Sequence, residues 1–470
     1  MSKVFPTLRH NSCRSPLAAC VASVFALCAP AAMANTWTVN SCAEGSSGDI
    51  PTQTGTLRFA AANAPDGADI DMGNLGCSLI SLTTGAINLP QNNLNIIGPG
   101  VNSLTVRGAL GDRVLNHTGS GTLTIRYLSV VEGYLVNSAG FAVGGCIESS
   151  GYLKLVHASV SGCSAVTDTG VAIAGGAYAS TGLYLLHSNV TGNVARARTT
   201  GFSKGGGGYS RGALFVGDST VATNSARASD GSHAAVGGLL IAGSAFINAS
   251  TISGNASDGY FGGLKFYNDR DYASNIVTVL NSTISGNSAG AQQGGIYANA
   301  GEVDIYNSTI AFNTAATGSA YLAPGLTIAA YAPATAVTLQ SSILSNNTYA
   351  GTESDLIVSL NPVTIGGGNN LIRNAAASVP GDTLHSCPLL GPLRDNGGLT
   401  RTHALLSHSP AIDAGNNVAG RNFDQRSSAA DNGMASYLRI SGLKPDIGAY
   451  EAQQDDIVFN GAFDGCPALQ

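Results

Sequence analysis

Charged and aromatic side chains crowd together in one short segment of this sequence. Residues 265–272 contain Lys265, Asp269, Arg270 and Asp271 among three aromatic residues. Paired carboxylates can act as general acid and base, and a lysine or arginine can serve as the base. The composition predicts a catalytic site, or a glycan-binding site without chemistry, and the alternative is a plain surface loop.

A second charged group lies near the C-terminus of a chain in which charged residues make up only 11%. It consists of Asp413, Asp424, Asp446 and Glu451, together with Arg426. Carboxylate oxygens are hard ligands that suit Ca²⁺, so the set could form a calcium site, which is the one cofactor that the sequence suggests. The alternative is that hydrogen-bonded turn residues and ion pairs fix a C-terminal cap here.

Polar side chains also recur at one fixed position. His157, His187 and Asp218 occupy that position in three successive repeats, where a proton-transfer pair or a weak metal site could form. Later repeats carry Ala, Asn or Ser there. A generic polar turn therefore explains the row equally.

An aromatic row is expected on the outside of the same repeats. Tyr184, Phe215 and Phe246 share one outward position, where exposed rings can stack on sugar rings. The alternative is that a loop covers them and they belong to the packing. Glu302 and Asp304 follow in the next coil after the charged segment and could add carboxylates to a groove, although simple solvation explains charge there too.

These positions align because the chain repeats itself. Between Leu123 and Tyr349 one sequence motif occurs eight times, at intervals of about 30 residues. Each copy has apolar residues two apart, then a polar group, then one aliphatic residue and usually an Asn three positions later. A period of this length indicates a solenoid. The aliphatic position holds Val130, Val160, Val190, Val221, Ile252, Ile284, Ile310 and Leu344.

Each repeat contains at least two strands joined by turns. Leu153 and Leu155 share a strand face, and glycine pairs before most copies mark sharp turns. Such coils stack as an all-β, right-handed parallel β-helix with equivalent strands about 4.8 Å apart. An Asn ladder should hydrogen-bond along the axis, or simply occupy left-handed turns. It comprises Asn193, Asn224, Asn255, Asn287, Asn313 and Asn347.

Segments on both sides of the repeats are expected to cap the solenoid, because an open end would expose unpaired strand edges. A short helix is predicted near the start, with Thr56 as N-cap and Pro65 as its stop. The predicted boundaries are 1–34 for a signal peptide, 35–122 for the N-terminal cap and first coils, 123–349 for the repeats, 350–451 for the last coils and a C-terminal capping region, and 452–470 for a tail.

The N-terminus has the pattern of a cleaved export signal. Lys3, Arg9 and Arg14 precede a short apolar run and an A-x-A site at residues 32–34, so we expect a secreted protein or one at the outer cell surface. No run is long and apolar enough for a transmembrane helix. The net charge of −6 argues against nucleic acid as a partner.

Cysteine usage agrees with export. Nine cysteines occur and three lie in the predicted signal, which leaves six with 15 possible pairings. Sequence proximity favours Cys42–Cys77, Cys146–Cys163 and Cys387–Cys466. No Cys or His spacing suggests zinc.

Motifs near the C-terminus resemble those of a known family. They are Pro388–Leu393, Asp395–Gly398, Thr402–Leu406, Ser409–Gly415, Asp424–Arg426 and Asp446–Glu451. Together they resemble the signature of choice-of-anchor Q domain proteins, which overlap with polymorphic-outer-membrane-type repeat proteins of bacteria. Cys387 stands where the family usually has Asp, and Ser427 where Gly is common. The resemblance implies a right-handed parallel β-helix and an exported location, and it supplies no catalytic residue.

The sequence therefore predicts a non-catalytic protein, adhesin-like or glycan-binding, whose partner is a polysaccharide or a host or cell-surface glycan. The alternative is a polysaccharide lyase or glycoside hydrolase that acts in a groove of the β-helix. The two differ in one feature, because an enzyme needs carboxylates and a base that converge in one groove. The sequence gives no indication of an oligomeric state.

Overall fold

The computed structural model describes most of the chain that follows the predicted signal. Residues 1–34 lie outside the described residues, and the signal-peptide prediction lies there with them. The described residues are 35–229, 233–267, 274–317, 323–330, 335–427, 436–453 and 466.

Short strands form because apolar and polar residues alternate, and they stack because the alternation repeats. In the strand Tyr152–Val156, Leu153 and Leu155 are fully buried while Lys154 faces outward. Leu153 lies opposite Leu183 of the next coil in parallel register. The parallel β-helix predicted from the repeat is therefore confirmed.

Three long sheets enclose the main core. Sheet A has fourteen strands, which are Gly48–Asp49, Thr54–Gly55, Thr36–Val39, Ala68–Asp71, Leu94–Ile97, Thr122–Arg126, Tyr152–Val156, Gly182–Leu186, Ala213–Gly217, Ala245–Asn248, Ile276–Leu280, Glu302–Tyr306, Ala336–Gln340 and Ile365–Gly368. Sheet B has eleven, which are Leu79–Ser81, Thr105–Arg107, Ser129–Val131, Ser159–Ser161, Asn189–Thr191, Thr220–Ala222, Thr251–Ser253, Thr283–Ser285, Thr309–Ala311, Ile343–Ser345 and Leu371–Ile372. Sheet C also has eleven, which are Ile87–Leu89, Leu115–His117, Ile147–Ser149, Ala177–Ala179, Gly208–Ser210, Leu239–Ile241, Leu264–Phe266, Ile296–Ala298, Leu326–Ala330, Leu356–Leu360 and Ala375–Ala376. Their inward side chains form one continuous core from Trp37 to Ile372.

Two smaller sheets form a side lobe, because several coils pass from sheet B through sheets D and E before they reach sheet C. Sheet D consists of Leu110–Gly111, Tyr134–Val136, Ser164–Thr167, Val194–Ala197, Ser225–Ala228, Ala256–Ser257, Ser288–Ala289, Thr314–Ala315, Thr348–Tyr349 and Thr352–Glu353. Sheet E consists of Phe141–Val143, Val171–Ile173 and Phe202–Lys204. A core of small side chains joins the two sheets. A separate hairpin pairs Leu390–Arg394 with Thr402–Leu405.

Asparagine and glycine meet where the side lobe joins the main core. Asn193 Nδ2 donates to Oδ1 of Asn224 in the next coil at 2.9 Å, and the same oxygen accepts the Asn193 backbone N–H at 3.0 Å. The predicted hydrogen bonding of the Asn ladder along the axis is confirmed. A Cβ atom at Gly176 would lie 2.9 Å from the Asn193 amide, so only glycine fits opposite the ladder.

The Asn ladder is closed at both ends. The Cys163 N–H donates to Asn193 Oδ1 at 3.0 Å, and Cys163 is bonded to Cys146 across the same junction. At the far end, Asp355 Oδ1 accepts from Asn347 Nδ2 at 2.7 Å. Every amide of the ladder therefore has partners on both sides.

A short helix covers the first coils. Helix α1 spans Leu57–Asn63, and Thr56 Oγ1 accepts the Phe59 N–H at 3.1 Å, which confirms Thr56 as the N-cap. Buried Gln91 donates to Ala61 O at 2.9 Å and so ties the helix to the solenoid. In the described ranges, no helix combines the length and the apolar character that a membrane crossing requires.

All three disulfides favoured by sequence proximity are formed. Cys42–Cys77 links the N-terminal region to a later coil, and Cys146–Cys163 lies at the junction of the side lobe. Cys387–Cys466 joins the start of the C-terminal segment to a residue of the tail.

The C-terminal segment folds back along the side of the solenoid, whereas the sequence predicts a cap at its end. We call the described parts of 387–453 the strap. On one outward row of sheet B, Asn189 is exposed but Thr251, two coils later, is 1% exposed, because the strap covers the sheet from there on. Thr283 Oγ1 donates to Gln425 Oε1 of the strap at 2.6 Å.

The strap lies close against the sheet. The Gly448 N–H donates to Ser341 O at 2.8 Å. Gly448 has a φ of +104°, and a Cβ atom there would lie 2.8 Å from Ile343 Cδ1. Glycine is therefore required at this point of contact for both conformation and space.

Candidate functional site

The carboxylates near the C-terminus hold the strap itself. Asp424 and Arg426 form a fully buried ion pair, with Nη2 and Oδ2 2.8 Å apart, and the Glu451 N–H also donates to Asp424 Oδ2 at 2.9 Å. Burial raises the pKa of Asp424, and Arg426 opposes that shift. The Arg426 guanidinium lies between Tyr437 and Tyr450, 3.9 Å from each ring centre.

The remaining carboxylates make similar contacts. Glu451 Oε2 lies 3.4 Å from Arg439 Nη2 and accepts the Asp446 N–H at 2.8 Å. Burial raises the pKa of Glu451 to about 8. Asp446 Oδ1 accepts the Asp413 N–H at 2.8 Å, and Asp413 Oδ1 accepts the Leu443 N–H at 2.7 Å. Backbone N–H groups thus contact the oxygens that a cation would need.

The geometry favours the structural alternative for Asp413, Asp424, Asp446 and Glu451. Across the described ranges, no group of three or more His, Cys, Asp or Glu side chains is placed to hold a metal ion. Calcium binding by these four residues stays a prediction without geometric support.

The histidine row is a column of stacked rings at a left-handed turn. His157 and His187 lie 4.6 Å apart at an interplanar angle of 7°, and Tyr127 stacks on His157 at 5.1 Å. His157, His187 and Asp218 all have a φ of 48°. Ring nitrogens carry their lone pairs in the ring plane, so stacked faces do not aim them at a common ion. The geometry favours the polar-turn interpretation over a metal site.

The predicted aromatic row is also a stacked column. Tyr184, Phe215 and Phe246 share one register on the outer face of sheet A. The Tyr184 and Phe215 ring centres are 4.4 Å apart at 10°, and those of Phe215 and Phe246 are 5.9 Å apart at 19°. Rings stacked along the axis cover one another's faces, whereas a sugar needs an open face. The geometry favours packing, and sugar binding by this row stays a prediction.

Two carboxyl groups lie on one strand of the same face. Glu302, Asp304 and Tyr306 alternate along the outer side of their strand. Burial raises the pKa of Asp304 to about 6, with Glu302 adding to the shift and a hydrogen bond with Thr338 opposing it. Asp304 can therefore hold a proton close to neutral pH, which is a property that a general acid needs.

Sheet C carries a further aromatic row, which the sequence interpretation did not single out. Tyr178, Tyr209, Leu240, Lys265 and Tyr297 follow one another in a single register on its outer face. Each is the second residue after a glycine of the recurring glycine pairs. The glycine pairs predict turns followed by short strands, and the same spacing also marks this outward row.

The rings on sheet C meet at angles rather than in a stack. Tyr178 and Tyr209 are edge to face at 73°, and Tyr209 Oη lies 2.7 Å from Tyr267 Oη. Phe261 and Tyr297 are tilted by 56° with their centres 5.1 Å apart. We call these five residues, together with Lys265, the tyrosine cluster.

Two cations contact aromatic residues of the tyrosine cluster. Lys265 Nζ lies 4.3 Å from the Phe261 ring centre and 5.7 Å from that of Tyr297. Arg211 is exposed at the corner between sheets C and A, and its hydrogen bond with Tyr178 raises the pKa of Arg211. The cluster therefore combines aromatic faces, phenol groups and positive charge on one side of the solenoid.

The charged segment 265–272 lies only partly within the described residues. Lys265 is half-buried in the strand Leu264–Phe266. Asp269, Arg270 and Asp271 lie outside the described residues, so their catalytic or glycan-binding role stays a prediction.

Comparison with known proteins adds one structural likeness. No protein-family model and no curated protein matches the chain. The crystal structure of pectate lyase Pel9A is similar over 89% of this chain and 97% of that chain, with a TM-score of 0.43 and 13% sequence identity.

Proposed function

We propose that this chain is an exported, non-catalytic β-helix protein that binds polysaccharide through the tyrosine cluster on sheet C. The observation that supports the proposal is the cluster's composition and ring geometry. Aromatic rings pack against the C–H groups of sugars, while phenol groups and cations can hydrogen-bond to sugar oxygens.

Burial divides the tyrosine cluster into a support and a contact surface. Tyr178 and Tyr209 are only 8% and 9% exposed. Lys265, Tyr267 and Tyr297 are half-buried around them. In the proposed role, the inner rings fix the outer side chains, and the outer side chains contact the polysaccharide.

Export and family membership belong to the same proposal. The three disulfides support an oxidising, extracellular environment, and the basic and apolar N-terminus supports cleavage of a signal. Membership of the choice-of-anchor Q proteins is supported by the C-terminal motifs. Two of those motifs, Asp424–Arg426 and Asp446–Glu451, supply the buried ion pairs of the strap.

Changing Tyr297 to Ala is expected to lower affinity for the bound polysaccharide about tenfold, because an aromatic anchor contributes at least about 1.4 kcal/mol at its contact. Equilibrium binding of the exported protein to a panel of neutral and acidic polysaccharides measures the change. Phe246→Ala is the matched control, since it removes one ring of the stacked column on sheet A and should leave binding unchanged. Equal losses in both variants would contradict the placement of the site, and no binding to any polymer would contradict the function.

A second candidate function is a polysaccharide lyase or glycoside hydrolase, and the Glu302–Asp304 pair favours it. A buried carboxyl group beside a second one suits general acid–base chemistry on a glycosidic bond. In that case Asp304→Asn should abolish the appearance of new polysaccharide chain ends. Wild-type cleavage should fall as the pH rises through about 6, since the general acid must be protonated. Asp69→Asn, an outward carboxylate of an early coil of sheet A, is the control, and cleavage that persists in Asp304→Asn rules out this role.

A further inference from the structure

Two arginines face each other on the outer side of the side lobe. Arg196 in the strand Val194–Ala197 lies directly opposite Arg227 in the strand Ser225–Ala228, in the parallel register of sheet D. Neighbouring strands are about 4.8 Å apart, so the two side chains leave the sheet from adjacent positions. Both residues are exposed.

This pair differs from the other charged positions in the strands. Elsewhere in the strand registers that the structure describes, a charged side chain has uncharged residues opposite it, as Lys154 has Thr124 and Tyr184. Like charges directly opposite each other destabilise a sheet. In a chain with 11% charged residues, the pairing of two arginines is therefore an unfavourable exception.

No carboxylate forms an ion pair with Arg196 or Arg227 within the described ranges. Arg196 has no hydrogen-bond or ion-pair partner there, and Arg227 Nε donates to Ser225 Oγ at 3.2 Å. Asp258 of the next coil accepts the Ala228 N–H at 3.3 Å and forms no ion pair with Arg227. Arg196 is thus left to solvent or to a ligand, and Asp258, which continues the register opposite Arg227, does not come within ion-pair distance of it.

A third arginine of the side lobe is already paired. Arg198 Nη2 donates to Tyr134 Oη at 2.7 Å, and Arg198 Nη1 lies 3.6 Å from Asp168 Oδ1. Its contacts show how an arginine of this surface is held when a carboxylate lies within reach. Arg196 and Arg227 lack such a partner among the described side chains.

We propose that Arg196 and Arg227 form a binding site for the sulfate or carboxylate groups of an acidic polysaccharide. A guanidinium presents a planar fork of N–H donors that matches an oxyanion, so two adjacent forks can hold one oxyanion or two successive ones. The site lies on sheet D and shares no residue with the tyrosine cluster on sheet C.

The number of cations favours an acidic polysaccharide over nucleic acid or an anionic membrane as the partner. Duplex nucleic acid is typically held by about 6–10 phosphate contacts, and anionic membranes by clusters of about four to eight Lys and Arg residues. Sheet D offers two arginines without a carboxylate partner on a chain of net charge −6. A polysaccharide carries its oxyanions on separate sugar units, so a single pair of arginines can contact it usefully.

The experiment compares the exported protein with Arg196→Gln, Arg227→Gln and the double variant on sulfated, carboxylated and neutral polysaccharides. We expect the affinity for the acidic polymer to fall about tenfold or more in the double variant, with a weaker salt dependence. Binding to the neutral polymer should not change. Arg107→Gln is the matched control, because Arg107 is an exposed arginine that already pairs with Glu132 at 3.0 Å.

The midpoint of thermal unfolding provides a second readout. A binding role predicts that the midpoint stays unchanged or rises in the variants, whereas a structural role predicts that it falls. Because like charges repel, each single variant should have an unchanged or higher midpoint. A lower midpoint with unchanged affinity would assign the pair to the fold and overturn the proposal. An equal loss of affinity in Arg107→Gln would show that only the net charge matters, which would overturn the proposal. The absence of wild-type binding to both acidic polymers would overturn it as well. Tyr297→Ala tested alongside separates this site from the tyrosine cluster.

Discussion

Replacing Arg426 with Leu is expected to destabilise the docked strap by about 3–5 kcal/mol, because the change leaves a buried carboxylate without its counter-charge. Asp424 and Arg426 are both fully buried, and the guanidinium also donates to Asn396 O and Glu451 O. Native-state hydrogen exchange of the strap amides measures the loss, since it reports local opening separately from global unfolding.

Two further variants test whether the buried ion pair of Arg426 holds the strap in place. Arg426→Lys keeps the positive charge but loses the paired donors and the stacking between Tyr437 and Tyr450, so an intermediate loss is expected. Arg401→Leu changes an exposed arginine of the same strap and should alter its stability by less than about 0.5 kcal/mol. Equal exchange rates in Arg426→Leu and Arg401→Leu would show that the buried pair does not hold the strap.

Changing Asn255 to Ala is expected to lower the free energy of unfolding by about 3 kcal/mol or more, because each buried polar group left without a partner costs about 1–3 kcal/mol. Asn255 Oδ1 accepts from the backbone N and Nδ2 of Asn224 at 3.1 and 2.9 Å. Asn255 Nδ2 donates to Val221 O at 3.0 Å and to Asn287 Oδ1 at 2.9 Å.

Urea unfolding measures the effect of the Asn255 variant. Asn189→Ala is its matched control, because Asn189 is an exposed asparagine in a strand of sheet B and should contribute little. A difference between the two variants below about 1 kcal/mol would mean that the ladder tolerates a missing amide, and its hydrogen bonds would then have little net value.

The solenoid could be predicted because its long-range contacts join equivalent positions of successive sequence repeats. Leu153 and Leu183 occupy the same position in successive repeats, and each repeat has the alternation of a strand. The repeat length alone therefore sets the register that places them opposite each other. The Asn ladder could be predicted for the same reason. The disulfides could be predicted because their cysteines are close in sequence or, for Cys387 and Cys466, lie on either side of the C-terminal segment.

The strap could not be predicted in this way. Thr251 Oγ1 donates to Arg401 O across 150 residues, and no repeat relates the two positions. Its carboxylates suggest calcium or a cap at the level of sequence, because sequence shows which side chains carry oxygen but not which backbone N–H groups approach them. The Asp446 and Glu451 oxygens accept N–H groups that only the folded strap brings near.

Outward-facing rows lie between these two cases. The positions of Tyr184 and Phe215 on sheet A were predicted, but their ring stacking depends on side-chain torsions that the period does not determine. Arg196 and Arg227 stand in equivalent positions in the sequence, yet their significance appears only when the register places one opposite the other.

The strap connects coils that are far apart in the solenoid. Its contacts reach from Asn248, which accepts from Arg421 at 2.9 Å, to Asn369, which donates to Ala414 O at 3.3 Å. These coils precede the strap in the chain, and each coil of a solenoid contacts only its neighbours. The surface that the strap binds is formed by several coils together, so the strap can dock only on coils that are already stacked, and it then links coils that are not neighbours of one another.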